Sequence, residues 1–180
     1  MSGDAGLIHV EEREAGMSDR IVIRDLEPTD VEAIADIAVA AWVPIFAYYR
    51  EAMGEELFAL ACPDWQEDKA GQVRRACEPD HPAMVCVATS DGCVVGFATY
   101  YANRASGIGE IGNNAVHPDF QGRGIATRLY SHVFARLREL DVRFVKVGTG
   151  GDPAHAPARR AYERAGFSIR LPHVEYYRKL

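Results

Sequence analysis

The sequence predicts an α/β layer protein, a mixed sheet with helices on both faces, and three observations predict it. Apolar residues recur every three to four positions over residues 31–45 and again over 125–140. Short β-branched and aromatic runs lie between these stretches, and the segments follow in the order β-α-α-β-β-β-α-β-α-β-β. The length, 180 residues, suits one such unit. The expected organisation is a flexible tail over residues 1–18 and a single domain over residues 19–180. The first sixteen residues are polar and without period, whereas "MSDRIVIRDLEPTD" moves at once into the alternation of Ile21 and Ile23.

Each element has its own signal. Pro28, Thr29 and Asp30 supply a cap and first turn, after which Val31, Ile34, Ile37, Ala38, Ala41 and Ile45 form an amphipathic stripe that also takes in Trp42 and Phe46 as core residues. Pro44 is expected to kink or end this helix, and "IFAYYREAMG" continues to a glycine stop. A second helical stretch, "EELFALACPDWQEDKAGQVRRACEP", is interrupted around Cys62, Pro63 and Asp64. The apolar runs on either side of Asp91-Gly92 predict a tight hairpin. "IGEIGNNAV" reads as a strand weakened by glycines, and "VRFVKVGTG" as a compact buried one. The helix "APARRAYERAG" ends at Gly166, and "FSIR" and "HVEYYRKL" are expected as closing strands, which makes about seven.

Composition excludes several classes. With 48% hydrophobic and 26% charged residues and no apolar run approaching the roughly 20 residues of a membrane span, the chain is expected to be cytoplasmic and free of membrane. The start has neither the basic nor the apolar region of a signal peptide. Cys62, Cys77, Cys86 and Cys93 form no C-x-x-C pair and read as core thiols. The six histidines show no ligand spacing, so no metal is expected. A pI near 5.5 gives no basic surface for nucleic acid. Residues 1–80 carry 18 acidic against 7 basic side chains and residues 81–180 carry 8 against 13. The first half suits a cationic partner or solvated helix faces, and the second suits a phosphorylated ligand.

The most informative stretch is "VHPDFQGRGIATRLYSHV", where two glycines and an arginine precede a helix. A helix N-terminus offers unpaired N–H groups and a partial positive charge, and glycines let an anion approach the main chain. A P-loop would need a lysine after Gly124, and a dinucleotide fingerprint would need glycine where Thr127 stands. Both fail.

Val116, Pro118, Phe120, Gln121, Gly124 and Ala126 match in register the V-x-P-x-[FY]-[QR]-x-x-G-x-[GA] signature for coenzyme A, so the stretch resembles the GNAT acyltransferase superfamily. "HAPARRAYERAGF" fits a second element through Ala158, Tyr162, Gly166 and Phe167, with His155 replacing the usual Asn. The resemblance covers about residues 20 to 180. It implies a GNAT-type, mostly antiparallel sheet with a splayed parallel pair and acetyl-coenzyme A as donor. Ala115, Val116, Gln121, Gly122, Arg123, Gly124, Ile125, Ala126, Thr127 and His155 would contact that donor, with Arg128, Arg159 and Arg160 as further phosphate candidates. It implies direct attack by an amine in a ternary complex, an oxyanion donor among the N–H groups of Ala115 and Val116, Tyr162 as general acid and Glu110 as candidate base. His155 would be a second base if it faces the acceptor. Asn113, Asn114, Tyr48 and Tyr49 are expected on the acceptor side. The expected activity is N-acetylation of a small-molecule primary amine; a protein or peptide acceptor and a non-catalytic acyl-coenzyme A module are the alternatives, and a homodimer fits the family.

Overall fold

A computed structural model describes residues 20–180, and the tail expected over residues 1–18 lies outside them. Strand β1 (Ile21–Asp25) is locked to the first helix by a reciprocal cap on the 3-10 turn Pro28–Asp30: the Asp30 carboxylate accepts from the Glu27 N–H at 2.8 Å while the Glu27 carbonyl accepts from the Asp30 N–H at 2.9 Å. Arg24 donates to both oxygens of the same carboxylate, at 2.6 and 3.0 Å. The Arg24 hydrogen bonds hold Asp30 below the ordinary carboxylate range, against the opposing effect of its burial.

Helix α1 (Val31–Ala61) runs through Pro44 rather than ending there, and its break comes at Gly54, with φ 75° and ψ 161°. Proline removes one N–H and frees the carbonyl one turn back, which a helix held by tertiary packing tolerates. Helix α2 (Trp65–Ala76) follows. The hairpin of β2 (Met84–Ser90) and β3 (Cys93–Asn103) turns on Asp91 and Gly92, both at positive φ as a tight primed turn requires. Then come β4 (Ile108–Val116), α3 (Ile125–Glu139), β5 (Phe144–Val147) and α4 (Ala156–Arg164). The strands form one sheet in the order β1-β2-β3-β4-β5, antiparallel except for the parallel pair β4 and β5.

The pleat sorts the core onto two faces. Val85, Val87 and Phe97 point toward α1 and α2, where they meet Ile34, Ala35, Ala38 and Val73. Their neighbours Cys86, Ala88 and Ala98 point the other way, toward Ile125, Leu129, Val133 and Leu137 of α3. Burial of each large aliphatic or aromatic side chain contributes about 1.5–3 kcal/mol. The α3 stripe was legible as a 3.6-residue period.

Several expectations are corrected. The sheet has five strands, not about seven: residues 167–180 form no ladder, and Ile169, Leu171 and Val174 are exposed. Alternation marks which side chains share a face, but pairing needs a partner edge, and Pro172 removes a donor from the middle of the segment. β5 is not buried, because nothing covers its outer edge and Phe144 stays 65% exposed. Only Cys86 is a core thiol, pushed up to about 12 by burial; Cys62 and Cys77 are half-buried and Cys93 is exposed. One helical segment, Pro28–Ala61, is long and apolar enough by length and composition to cross a membrane, with a mean hydropathy of 1.6. Ile37 to Ala47 is one uninterrupted apolar run that raises this value, and within the segment Ile34, Ala35, Ile37 and Ala38 pack against the sheet and α2. Among the described residues, part of the acidic excess of the first half lies on exposed helix faces in ion pairs, Glu32 and Glu67 with Arg74 and Glu55 with Arg50.

Asp30→Asn should lower unfolding stability by about 2 kcal/mol, since the network loses its negative charge and one of its two acceptor oxygens. Because Asp30 titrates lower when folded than when unfolded, its contribution is present above the unfolded carboxylate pKa. It is lost as pH falls through the folded value. Denaturant melts between pH 7 and 2 should therefore show an acid loss in the native chain that is smaller in the variant.

Candidate active site

The site begins where β4 outlives its partner. β4 and β5 pair in register from Ile108 with Phe144 to Ile111 with Val147; there β5 ends, and β4 continues to Val116 with β3 alone. Alternate main-chain groups of β4 over residues 112–116 therefore point away from β3 with no strand beyond them. This gap opens into a cavity of about 970 Å³, bordered by β4, α1, the start of α3 and α4.

A bulge controls what β4 shows to it. Ala98 opposes Asn114 and Tyr100 opposes Ile111, so β4 has one residue more than β3 across Thr99. The extra residue reverses the parity of the strand. Ile111, Asn114 and Val116 face α3, whereas Asn113 and Ala115 face α1 and α2. The two consecutive asparagines, both expected on the acceptor side, are thus sent to opposite faces.

On the α3 and α4 face, the Tyr130 hydroxyl donates to Asn114 Oδ1 at 2.8 Å, which fixes the amide so that its Nδ2 donates to Gly112 O at 2.9 Å and to the Tyr162 hydroxyl at 3.2 Å. Burial pushes the Tyr162 phenol up, while the hydrogen bonds from Asn114 and Tyr130 work against the shift. Tyr162 therefore keeps its proton at neutral pH, and its hydroxyl accepts from Asn114 Nδ2 while its own O–H makes a longer contact, 3.4 Å, to Asn114 Oδ1.

On the α1 and α2 face, Asn113 Oδ1 accepts from Lys69 Nζ at 3.2 Å, and the same ammonium lies 4.3 Å from the Trp42 ring centroid. Lys69 is 9% exposed and has no carboxylate partner among the described residues; desolvation lowers its pKa to about 8. The sequence reading missed this residue. The signal was a lysine on the buried stripe of Ala70, Val73 and Ala76. Trp42, read as core, borders the cavity, while Phe46 stacks on Trp65.

The turn into α3 is shaped by backbone rather than by crowding. Gly122 and Gly124 have φ of 78° and 76°, and a Cβ added at either would touch nothing. Gly124 caps α3 in the left-handed region with no side-chain cap, and the first helical bond is from Arg128 N to Gly124 O. The N–H groups of Ile125, Ala126 and Thr127 are thus without helical acceptors beside the cavity, which fits a pyrophosphate. Gln121 Nε2 donates to Val116 O at 3.1 Å and ties this loop to the end of β4. Arg123 lies back over the Phe120 ring and donates to Asp119 O. Two other arginines serve the main chain: Arg128 holds Ile21 O at 2.6 Å, and Arg159 holds Gly150 O and Asp152 O, each at 2.6 Å. Arg160 borders the cavity.

Glu110 also borders the cavity, two residues before the bulge, and pairs with Lys146 at 2.8 Å. His155 borders it from the start of α4, with Nδ1 2.6 Å from Asp152 Oδ2. Tyr49 stands beside His155, ring centroids 6.3 Å apart, and Tyr48 lies one ring further out. No group of three His, Cys, Asp or Glu able to hold a metal occurs among the described residues.

Comparison with known proteins agrees with this geometry. Residues 46–167 match the model of the acetyltransferase (GNAT) family. Over 88 residues, 48% of the chain, the sequence is 36% identical to mycothiol acetyltransferase of Tsukamurella paurometabola; the chain spans 30% of that relative's length. AAC(6')-Iy, solved in complex with the bisubstrate analog CoA-S-monomethyl-acetylneamine, shares the fold with a TM-score of 0.60 at 20% identity, over 89% of this chain and 99% of that one. A ribosomal-protein-alanine N-acetyltransferase from Brucella melitensis biovar Abortus does so with a TM-score of 0.57 at 17% identity, over 88% and 100%.

Two outcomes follow from this site. Gly124→Ala should cost about 1–2 kcal/mol of stability, the strain of a left-handed alanine, and should weaken coenzyme A binding measured by calorimetry. Lys69 titrates lower folded than unfolded, so its charge opposes folding below about pH 8 and stability recovers as pH rises toward the unfolded value. Lys69→Met should abolish that alkaline gain in melts between pH 7 and 10.

Proposed function

This chain belongs to the GNAT family of acetyltransferases, and from that premise we propose that it transfers an acetyl group from acetyl-coenzyme A to a primary amine of a small molecule. The observation that carries the reading is the convergence on one cavity of the unpaired end of β4, the uncapped N-terminus of α3 and the Asn114-held Tyr162 hydroxyl. Ile125, Ala126 and Thr127 would take the pyrophosphate on their N–H groups, and β4 would pair with the pantetheine arm as an added strand does. The N–H groups of Ala115 and Val116 are the candidates to hold the oxyanion that forms as the amine attacks the thioester carbonyl. When that intermediate collapses, the carbon–sulfur bond breaks and the Tyr162 hydroxyl gives its proton to the departing thiolate.

A small acceptor is favoured by the wall that α1 builds. Trp42, Pro44 and Ile45 border the cavity opposite β4, as side chains enclosing a pocket do. Glu110 is the acidic side chain on that border, placed to draw a cationic amine toward the reacting end.

A screen of free-thiol release from acetyl-coenzyme A across amino acids, polyamines, aminoglycosides and lysine- or alanine-bearing peptides tests the reading. Turnover confined to small amines is expected, and turnover of peptides alone would replace it with a protein-modifying activity. Tyr162→Phe should reduce kcat by about 100-fold with coenzyme A affinity kept, since loss of a general acid removes a factor of that order.

A further inference from the structure

The loop between β5 and α4 holds a largely buried histidine–aspartate pair to which the steps above assign no role. We propose that His155, oriented by Asp152, is the catalytic base that takes the proton from an acceptor amine arriving as ammonium. The inference rests on the amine-acetylation reading above.

Four observations carry it. The Asp152 carboxylate meets His155 Nδ1 at 2.6 Å, and both side chains are 13% exposed. A carboxylate only accepts, so Nδ1 bears the hydrogen and Nε2 keeps its lone pair. Burial favours the neutral acid at Asp152, but the hydrogen bonds from the His155 ring and N–H outweigh it and hold Asp152 below the ordinary carboxylate range. The pair is therefore charged on the aspartate side at neutral pH. Second, the ring borders the cavity, and no described residue hydrogen-bonds Nε2. Third, the loop is built around the pair. A Cβ on Gly150 would collide with both the Asp152 carboxylate and the His155 ring, and Arg159 clamps the carbonyls of Gly150 and Asp152. Fourth, the acidic side chain on the cavity border, Glu110, already has its Oε2 engaged by the Lys146 ammonium at 2.8 Å.

The groups around His155 are Asp152 and Arg159 from its own segment and Tyr49 from α1. Asp152, Glu175, Tyr177 and Cys62 lie near enough to Tyr49 to hold its phenol protonated, after the larger effect of burial. Asp152 is the anion in direct contact with the imidazole, so the imidazolium formed during turnover is stabilised there.

The proton balance is simple. The ammonium gives one proton to His155 Nε2, and the freed lone pair forms the carbon–nitrogen bond as the carbonyl π pair moves to oxygen. Collapse re-forms the carbonyl and breaks the carbon–sulfur bond; Tyr162 protonates sulfur and is restored by the second proton leaving nitrogen. His155 releases its proton to solvent, so one ammonium and one thioester yield an amide, a thiol and one proton.

The test compares two acceptors in the full chain: an alkylamine charged at pH 7, and a hydrazide that is neutral there. His155→Gln should lose about 100-fold or more in kcat/KM on the alkylamine and less than about threefold on the hydrazide, because only the former needs a base. Asp152→Asn should show the same split between the two acceptors, since the ring is no longer held at Nδ1 by a carboxylate. The thermal unfolding midpoint of each variant serves as the folding control. Equal losses on both acceptors in either variant would overturn the assignment while leaving amine acetylation standing. A wild-type chain that acetylates neither acceptor nor any amine of the screen overturns both.

Discussion

Beyond Ile111, β4 has a strand on one side only, and every feature of the site depends on that. A strand end with unpaired main-chain groups is costly to bury and is ordinarily covered. Here β5 stops at Val147 after four paired positions, and the chain leaves through Gly148 toward α4. The unpaired edge is left facing a cavity with α3's uncapped N-terminus beside it. An extended amide-bearing arm that ends in phosphates meets both needs at once. Acetyl-coenzyme A is such a molecule, and a strand edge followed by a helix N-terminus suits its pantetheine and pyrophosphate in turn.

The bulge at Gly112 and Asn113 then divides the chemistry between the two faces of one strand. Without the extra residue, Asn113 and Asn114 would exchange sides. Asn114 would leave Tyr130 and Tyr162, and Asn113 would leave Lys69 and Trp42. Gly112 has no side chain because a Cβ there would collide with Thr99 and Tyr101 on the neighbouring strand. The bulge, the glycine and the two amides are thus one arrangement, and half-buried polar groups that look costly in the sequence are satisfied by partners on separate helices.

Much of the fold was legible locally. The stripe of α3, the Asp91-Gly92 hairpin, the cap at Asp30 and the break at Gly54 are each set by a few neighbouring residues, and each is found where its residues place it. The glycines before α3 were legible for the same reason, since a positive φ is a property of one residue. Features that depend on distant partners were not. Residues 167–180 have the alternation of strands without an edge to join, and Pro44 sits inside a helix because packing on the sheet and α2 outweighs the lost hydrogen bond. The acidic half suited a cationic partner or solvated helix faces, and among the described residues Glu32, Glu55 and Glu56 are exposed and joined to arginines and a lysine.

The sequence by itself determined the layer class, the glycine turn into α3 and the residue types available for acid and base chemistry, because those follow from period, turn chemistry and the chemistry of single side chains. Only the tertiary structure decided where β5 ends relative to β4, which asparagine faces which helix, that Lys69 lies under Trp42, and that His155 is held by Asp152. Strand register, bulge parity and the meeting of side chains from separate elements are relations between segments. No local pattern carries them, and packing fixes all of them together.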